Sequence, residues 1–207
     1  MLLTLAACYK ETDYSALGGY YGTDLPAVSS YMTDIVNELV TLNLDELENA
    51  LSKSDDPIGR MFYDTGNYDS LYEDGSSWRV ARESRLQGLT ISKVTGSDAW
   101  LLSYEGDFSL SGNEFPTEYS IRADRVPAQE NGGQDWKVTL SGSRTEEDGY
   151  SCSFATPETI LYKVLEDGYW NAFGYLRMDV SKAGTMIDKL LMEVSGGRND
   201  VKVTRIK

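Results

Sequence analysis

Trp100-Leu101-Leu102-Ser103-Tyr104-Glu105-Gly106-Asp107-Phe108-Ser109-Leu110 repeats with period two: Trp100, Leu102, Tyr104, Phe108 and Leu110 share one side, Ser103, Glu105, Asp107 and Ser109 the other. Successive side chains of a β-strand point to opposite faces, so this stretch reads as a strand with one face in a core and one in water. Trp136, Val138 and Leu140 alternate in the same way with Lys137, Thr139 and Ser141. Comparable runs lie at 78–86, 89–94, 119–125, 160–165, 169–180, 186–194 and 201–206. With Tyr150–Phe154 they amount to about ten strands.

The segments between these runs carry hairpin chemistry: Gly96-Ser97-Asp98, Ser111-Gly112-Asn113, Asn131-Gly132-Gly133, Glu147-Asp148-Gly149, Glu166-Asp167-Gly168 and Gly196-Gly197-Arg198. Gly, Asn and Asp tolerate positive φ, which short antiparallel connections require, so an antiparallel meander is expected. Each strand then has one apolar face to cover. A closed barrel, two stacked sheets or a curved sheet over a helix would all do so, and the curved sheet or partly open barrel is preferred.

The cover lies upstream. Val28, Tyr31, Ile35, Leu39 and Leu42 recur at helical spacing behind a start signal of Asp24 and Pro26, and Leu44, Leu47 and Leu51 continue the stripe. Asn43 with Glu46 three residues on has the form of a second cap, leaving open one kinked helix or a pair. Residues 55–75 are rich in Asp, Asn, Gly and Ser and read as a loop. Within it the spacing of Asp64, Asn67 and Asp69 does not match a calcium loop, and turn chemistry accounts for these residues, so no metal is assigned. The expected fold is therefore mostly β (α+β), one domain over 24–207, with a helical part at 24–54, a loop at 55–75 and the sheet at 76–207.

Composition removes whole classes of chemistry. The 207 residues contain no histidine, which excludes Ser-His-Asp and Cys-His nucleophiles, His-ligated zinc and histidine general bases. Thirty-three acidic residues against 19 basic ones give a net charge of −14, and no basic cluster follows a phosphate backbone, so nucleic acid is not a partner. No glycine-rich phosphate loop stands between a strand and a helix, and no cofactor is expected. Acidic pairs such as Glu105 and Asp107 share strand faces, but in so acidic a chain these are solvated faces rather than a hydrolytic pair.

Met1-Leu2-Leu3-Thr4-Leu5-Ala6-Ala7-Cys8 is an apolar run with small residues before a cysteine, followed by polar Tyr9-Lys10-Glu11-Thr12-Asp13. Leu5-Ala6-Ala7-Cys8 resembles the lipobox of bacterial lipoproteins. The resemblance implies an acylated Cys8 thiol, cleavage after Ala7 and a bacterial cell-envelope location, periplasmic or surface-facing. Residues 1–7 would then be a truncated signal, since the apolar run is short and no Lys or Arg precedes it. Residues 8–23, rich in Tyr, Gly, Ser and Thr, would be a tether. The other reading of the segment is a short buried strand with a core cysteine. With Cys8 acylated, Cys152 has no partner for a disulfide, and alternation places it beside Tyr150 and Phe154 as a packed thiol.

One strand is loaded on both sides. In Tyr169-Trp170-Asn171-Ala172-Phe173-Gly174-Tyr175-Leu176-Arg177, alternation puts Tyr169, Asn171, Phe173, Tyr175 and Arg177 opposite Trp170, Ala172 and Leu176. Either the strand is buried on both sides, or the Tyr169 face offers aromatic planes beside an amide and a guanidinium. The second composition suits a glycan or another ligand with CH faces and hydroxyls. Three functions follow in order: a lipid-anchored binding or accessory module for a glycan, a small apolar molecule or an envelope protein; a structural or assembly component of the envelope; and a carboxylate-based hydrolase.

Overall fold

A computed structural model describes residues 25–52, 68–70, 77–80, 86–110, 113–127, 134–145, 149–165 and 169–206. Cys8, the tether, Asp64 and Asn67 lie outside them. The chain forms helix α1 (Leu25–Asp34), a π-helical turn (Ile35–Leu39) and helix α2 (Val40–Ser52), then eleven strands. These are β1 (Tyr68–Ser70), β2 (Ser77–Val80), β3 (Thr90–Lys93), β4 (Ala99–Leu110), β5 (Asn113–Pro127), β6 (Gln134–Thr145), β7 (Tyr150–Ala155), β8 (Ile160–Val164), β9 (Trp170–Lys182), β10 (Thr185–Gly196) and β11 (Val201–Arg205).

All eleven strands belong to one antiparallel sheet that runs from β1 to β11. Among the described residues β1 and β11 are not paired with each other. Tyr68–Ser70, inside the stretch expected to be loop, pairs with Ser70↔Trp78 and Tyr68↔Val80. Strands β7 and β8 together occupy a single place between β6 and β9. Ala155 pairs with Ser141 and Ile160 with Val138, so five steps along this broken strand face three along β6. The break is a bulge, and Thr156 anchors it by donating its N–H to Leu140 O at 2.9 Å while its Oγ1 accepts from Leu140 N at 3.0 Å. Gly174 opposite, at φ +151°, lets the bulged backbone close in: a Cβ there would stand 3.0 Å from Ile160 Cα.

The helix is the cover the strands require. Tyr31, Met32, Ile35, Val36, Leu39, Val40, Leu44 and Leu47 are buried together with the inward residues of the sheet, among them Trp136, Ile121, Leu176, Met178, Leu190 and Met192. Its contacts run across the sheet: Thr33 reaches Met192 Sδ on β10, Tyr162 Oη on β8 donates to Val36 O at 2.9 Å, and Asn43 Nδ2 donates to Tyr119 Oη on β5 at 3.0 Å. A sheet touched by one helix from β5 to β10 is curled around it. The indole N–H groups of Trp136 and Trp170 donate to Glu48 (2.8 Å) and Asp45 (2.9 Å), and Arg198 in the β10–β11 turn donates to Asp34 (3.1 Å) and Glu38 (2.8 Å).

The helix is continuous, with no second cap. Asn43 sits mid-helix, fully buried, with Nδ2 also donating to Leu39 O at 2.8 Å, so the Asn-x-x-Glu pattern marks a core polar contact. The irregularity of the helix is elsewhere: Val40 N–H bonds Ile35 O, the i→i+5 spacing of a π turn. That amide would serve Val36 O in an α-helix, and Tyr162 takes its place. Burial holds the Tyr162 phenol well above its usual pKa, and the Tyr119 phenol likewise, so both remain neutral donors. Cys152 is buried beside Tyr150 and Phe154, as alternation predicts. No helix among the described residues is long and apolar enough to cross a membrane.

Candidate functional site

Strand β9 resolves the ambiguity of its two loaded faces. Ala172, Leu176, Met178 and Val180 are buried against the helix, whereas Tyr169 is 72 % exposed, Phe173 37 % and Tyr175 39 %. A core strand must bury its smaller aliphatic face here because the helix already fills the concave side. Three aromatic side chains are left on the outer surface. Asn171 is half-buried on the same outer face, with its Oδ1 near Gly197. Across the strands, Leu161 and Ser195 stand opposite Phe173, and Glu193 stands opposite Tyr175. Lys163 Nζ lies 6.0 Å from the Phe173 ring centre, within cation–π reach.

Arg177 shares this face but is not an open guanidinium. Its Nε and Nη2 donate to both carboxylate oxygens of Asp179 at 2.9 and 2.7 Å. The hydrogen bonds to Asp179 come first among the causes that raise its pKa. Arg122 and Asp124 on β5 repeat the arrangement, with both bonds at 2.9 Å. A fork-to-fork pair of this kind fixes the plane of the guanidinium and leaves further N–H groups and oxygen lone pairs in known directions.

Register brings other residues to the same face. Arg79, Thr90, Ser103, Ser120, Ser141, Ala155 and Arg177 are successive cross-strand partners from β2 to β9. Small side chains in this row leave a trough between bulkier neighbours. A hollow of about 720 Å³ lies over it, lined by Arg79, Thr90, Ser103, Ser120 and Ser141 together with Glu105, Glu118 and Ser143. A second hollow of about 250 Å³ shares Ser120 and Ser141 and reaches Arg122, Thr139, Ala155 and Thr156. Glu105 stands directly opposite Glu118 across β4 and β5, so the carboxylate facing it comes from the neighbouring strand; the side chain of Asp107 lies outside the described residues. Like charges in that position repel, an arrangement a polar ligand would relieve.

Of the five predicted residues, Asn171, Phe173, Tyr175 and Arg177 therefore lie on one outer face of β9, with Arg177 committed to Asp179, and the exposed Tyr169 immediately precedes the strand. The serine row escaped prediction. Alternation alone places Ser103 and Ser141 outward, but their alignment depends on a register that spans seven strands, which no local pattern carries. Among the described residues no three His, Cys, Asp or Glu side chains form a group that could hold a metal ion. No protein-family model, curated protein or solved structure matches the chain.

Proposed function

We propose that this protein is a non-catalytic binding module, held at the bacterial cell envelope by a lipid on Cys8, and that the outer face of β9 takes its ligand. The ligand is a glycan or a small molecule with apolar faces and hydroxyls. One observation carries the reading: Tyr169, Phe173 and Tyr175 stand on one exposed face beside Asn171 and Lys163, while the opposite face of β9 supplies the core. Aromatic planes bind the CH faces of sugars, and adjacent amide and ammonium groups bind their hydroxyls. The anchor rests on Leu5-Ala6-Ala7-Cys8.

The alternative, a structural component of the envelope that pairs with a partner, draws on β11, an edge strand with only β10 beside it among the described residues, and on exposed Met186 and Ile187 near the β9–β10 turn. Lys202 and Thr204 point outward from that edge strand and Arg205 is half-buried on it, charge that disfavours pairing with a second strand. The binding module is therefore preferred.

Two expected results test it. Expressed in a bacterium, the chain partitions with membranes and carries a lipid-sized mass increment at Cys8, and Cys8→Ala abolishes both. In calorimetric titration with hexamers of glucose or N-acetylglucosamine, Phe173→Ala and Tyr175→Ala each weaken binding about tenfold, about 1.4 kcal/mol. Both side chains are solvent-exposed, so the melting temperature stays close to that of the parent. Binding that both substitutions leave unchanged would remove β9 as the ligand face.

A further inference from the structure

Building on the β9 reading, we infer that the ligand is a neutral polysaccharide and that it lies across the strands, along the trough that links the large hollow to the aromatic face. Three observations on the same outer face converge. The row from Arg79 to Arg177 is continuous in register, and both hollows open on it, sharing Ser120 and Ser141. At one end lie Phe173 and Tyr175, on the same face of β9 as Arg177. At the other end the lining combines hydroxyls, Arg79, the buried Tyr104 and Tyr119, and the opposed carboxylates Glu105 and Glu118.

Length decides against a monosaccharide. From β2 to β9 the row crosses six spacings of about 4.8 Å, roughly 29 Å along the surface. A single sugar would touch only a small part of it. Chemistry decides against a protein segment or a lipid: the outward side chains in the middle of the row are serine and threonine, and the two aromatic residues that line the large hollow, Tyr104 and Tyr119, are themselves buried in the core, whereas protein interfaces centre on exposed apolar and aromatic anchors. Sugar hydroxyls both donate and accept, and so match the fixed Arg122–Asp124 and Arg177–Asp179 pairs, which present both functions edge-on. Charge decides against a polyanion. Around the row Arg79, Arg122 and Arg177 are offset by Glu105, Glu118, Asp124 and Asp179, and the whole chain carries −14.

The test is a length series. Cello-, malto- and N-acetylglucosamine oligosaccharides of one to six units, and oligogalacturonates of the same lengths, are titrated into the full chain by calorimetry. Affinity for a neutral series rises at least tenfold from dimer to hexamer, and oligogalacturonates bind more weakly. Ser141→Gln, which fills the trough with a polar side chain at an exposed position, returns the hexamer to dimer affinity and leaves dimer binding unchanged; Ser143→Gln provides a second block if the first alters the melting curve. Tyr175→Ala weakens dimer and hexamer alike. Binding that is independent of length, or a hexamer indifferent to both glutamine variants, overturns the trough while leaving the β9 face intact. Preference for oligogalacturonate overturns the neutral class, and no binding of any series overturns the β9 face and the trough together.

Discussion

Trp136→Ala is expected to destabilise the fold by about 3–5 kcal/mol. Trp136 has no exposed surface and is the largest of the fully buried side chains among the described residues. It sits on β6 between Arg125 and Tyr162, its indole donates to Glu48 of the helix at 2.8 Å, and the Arg125 guanidinium lies 5.8 Å from its ring centre. Truncation thus opens a cavity at the seam between sheet and helix and removes a donor from a partly buried carboxylate. Since domains of this kind have about 5–15 kcal/mol in total, such a loss removes a large share of the stability. At about 2–4 °C per kcal/mol the melting temperature falls by roughly 10 °C, measurable by circular dichroism. Trp170→Ala is the control, because Trp170 makes the matching bond to Asp45 from a half-buried position. An equal loss in both variants would show that the seam, rather than burial, sets the cost.

Gly142→Ala reverses the usual sign of its substitution. In a strand interior alanine normally stabilises by about 0.5–1 kcal/mol, because glycine loses more conformational freedom on folding. At Gly142 a Cβ would lie 2.6 Å from Phe154 Cε2, closer still to Phe154 Cζ, and 2.7 Å from Glu118 O. Phe154 itself is 2 % exposed and has little room to yield. Overpacking of this kind costs about 1–3 kcal/mol. Phe154→Leu, destabilising alone, should recover part of the loss in the double variant, and urea denaturation of the four proteins measures that coupling. Simple additivity would mean that the ring is not what excludes the methyl group.

Much of this architecture was legible because it depends on local periods. Alternation separated inward Leu102, Tyr104, Val138 and Leu140 from outward Ser103, Glu105, Lys137 and Ser141, and helical spacing found the cover. What escaped depends on distant partners. Asn43 has the sequence context of a cap, yet Tyr119, far along the chain, draws it into the core. Ala183-Gly184 makes the two-residue turn between β9 and β10 with φ of +46° and +78°, and alanine gives no hint of a left-handed position. The bulge that joins β7 to β8 shows only when β6 and β9 are laid beside it. On β9 the composition of the aromatic face was visible in the sequence, but the Asp179 partner that occupies Arg177, and the serine row running up to it, follow from pairing alone.

The seating of the helix also shapes the route to the native state. Tyr162 reaches Val36 across 126 residues, Thr33 reaches Met192 across 159 and Arg198 reaches Asp34 across 164. The segment synthesised early among the described residues therefore has its binding surface completed almost last. β5 and β6 supply part of its cover through Tyr119 and Trp136, and β8 to β10 supply the rest. High contact order of this sort places folding towards the slow, millisecond-to-second end of the range for small domains. The interior is complete only when the C-terminal strands have joined the helix.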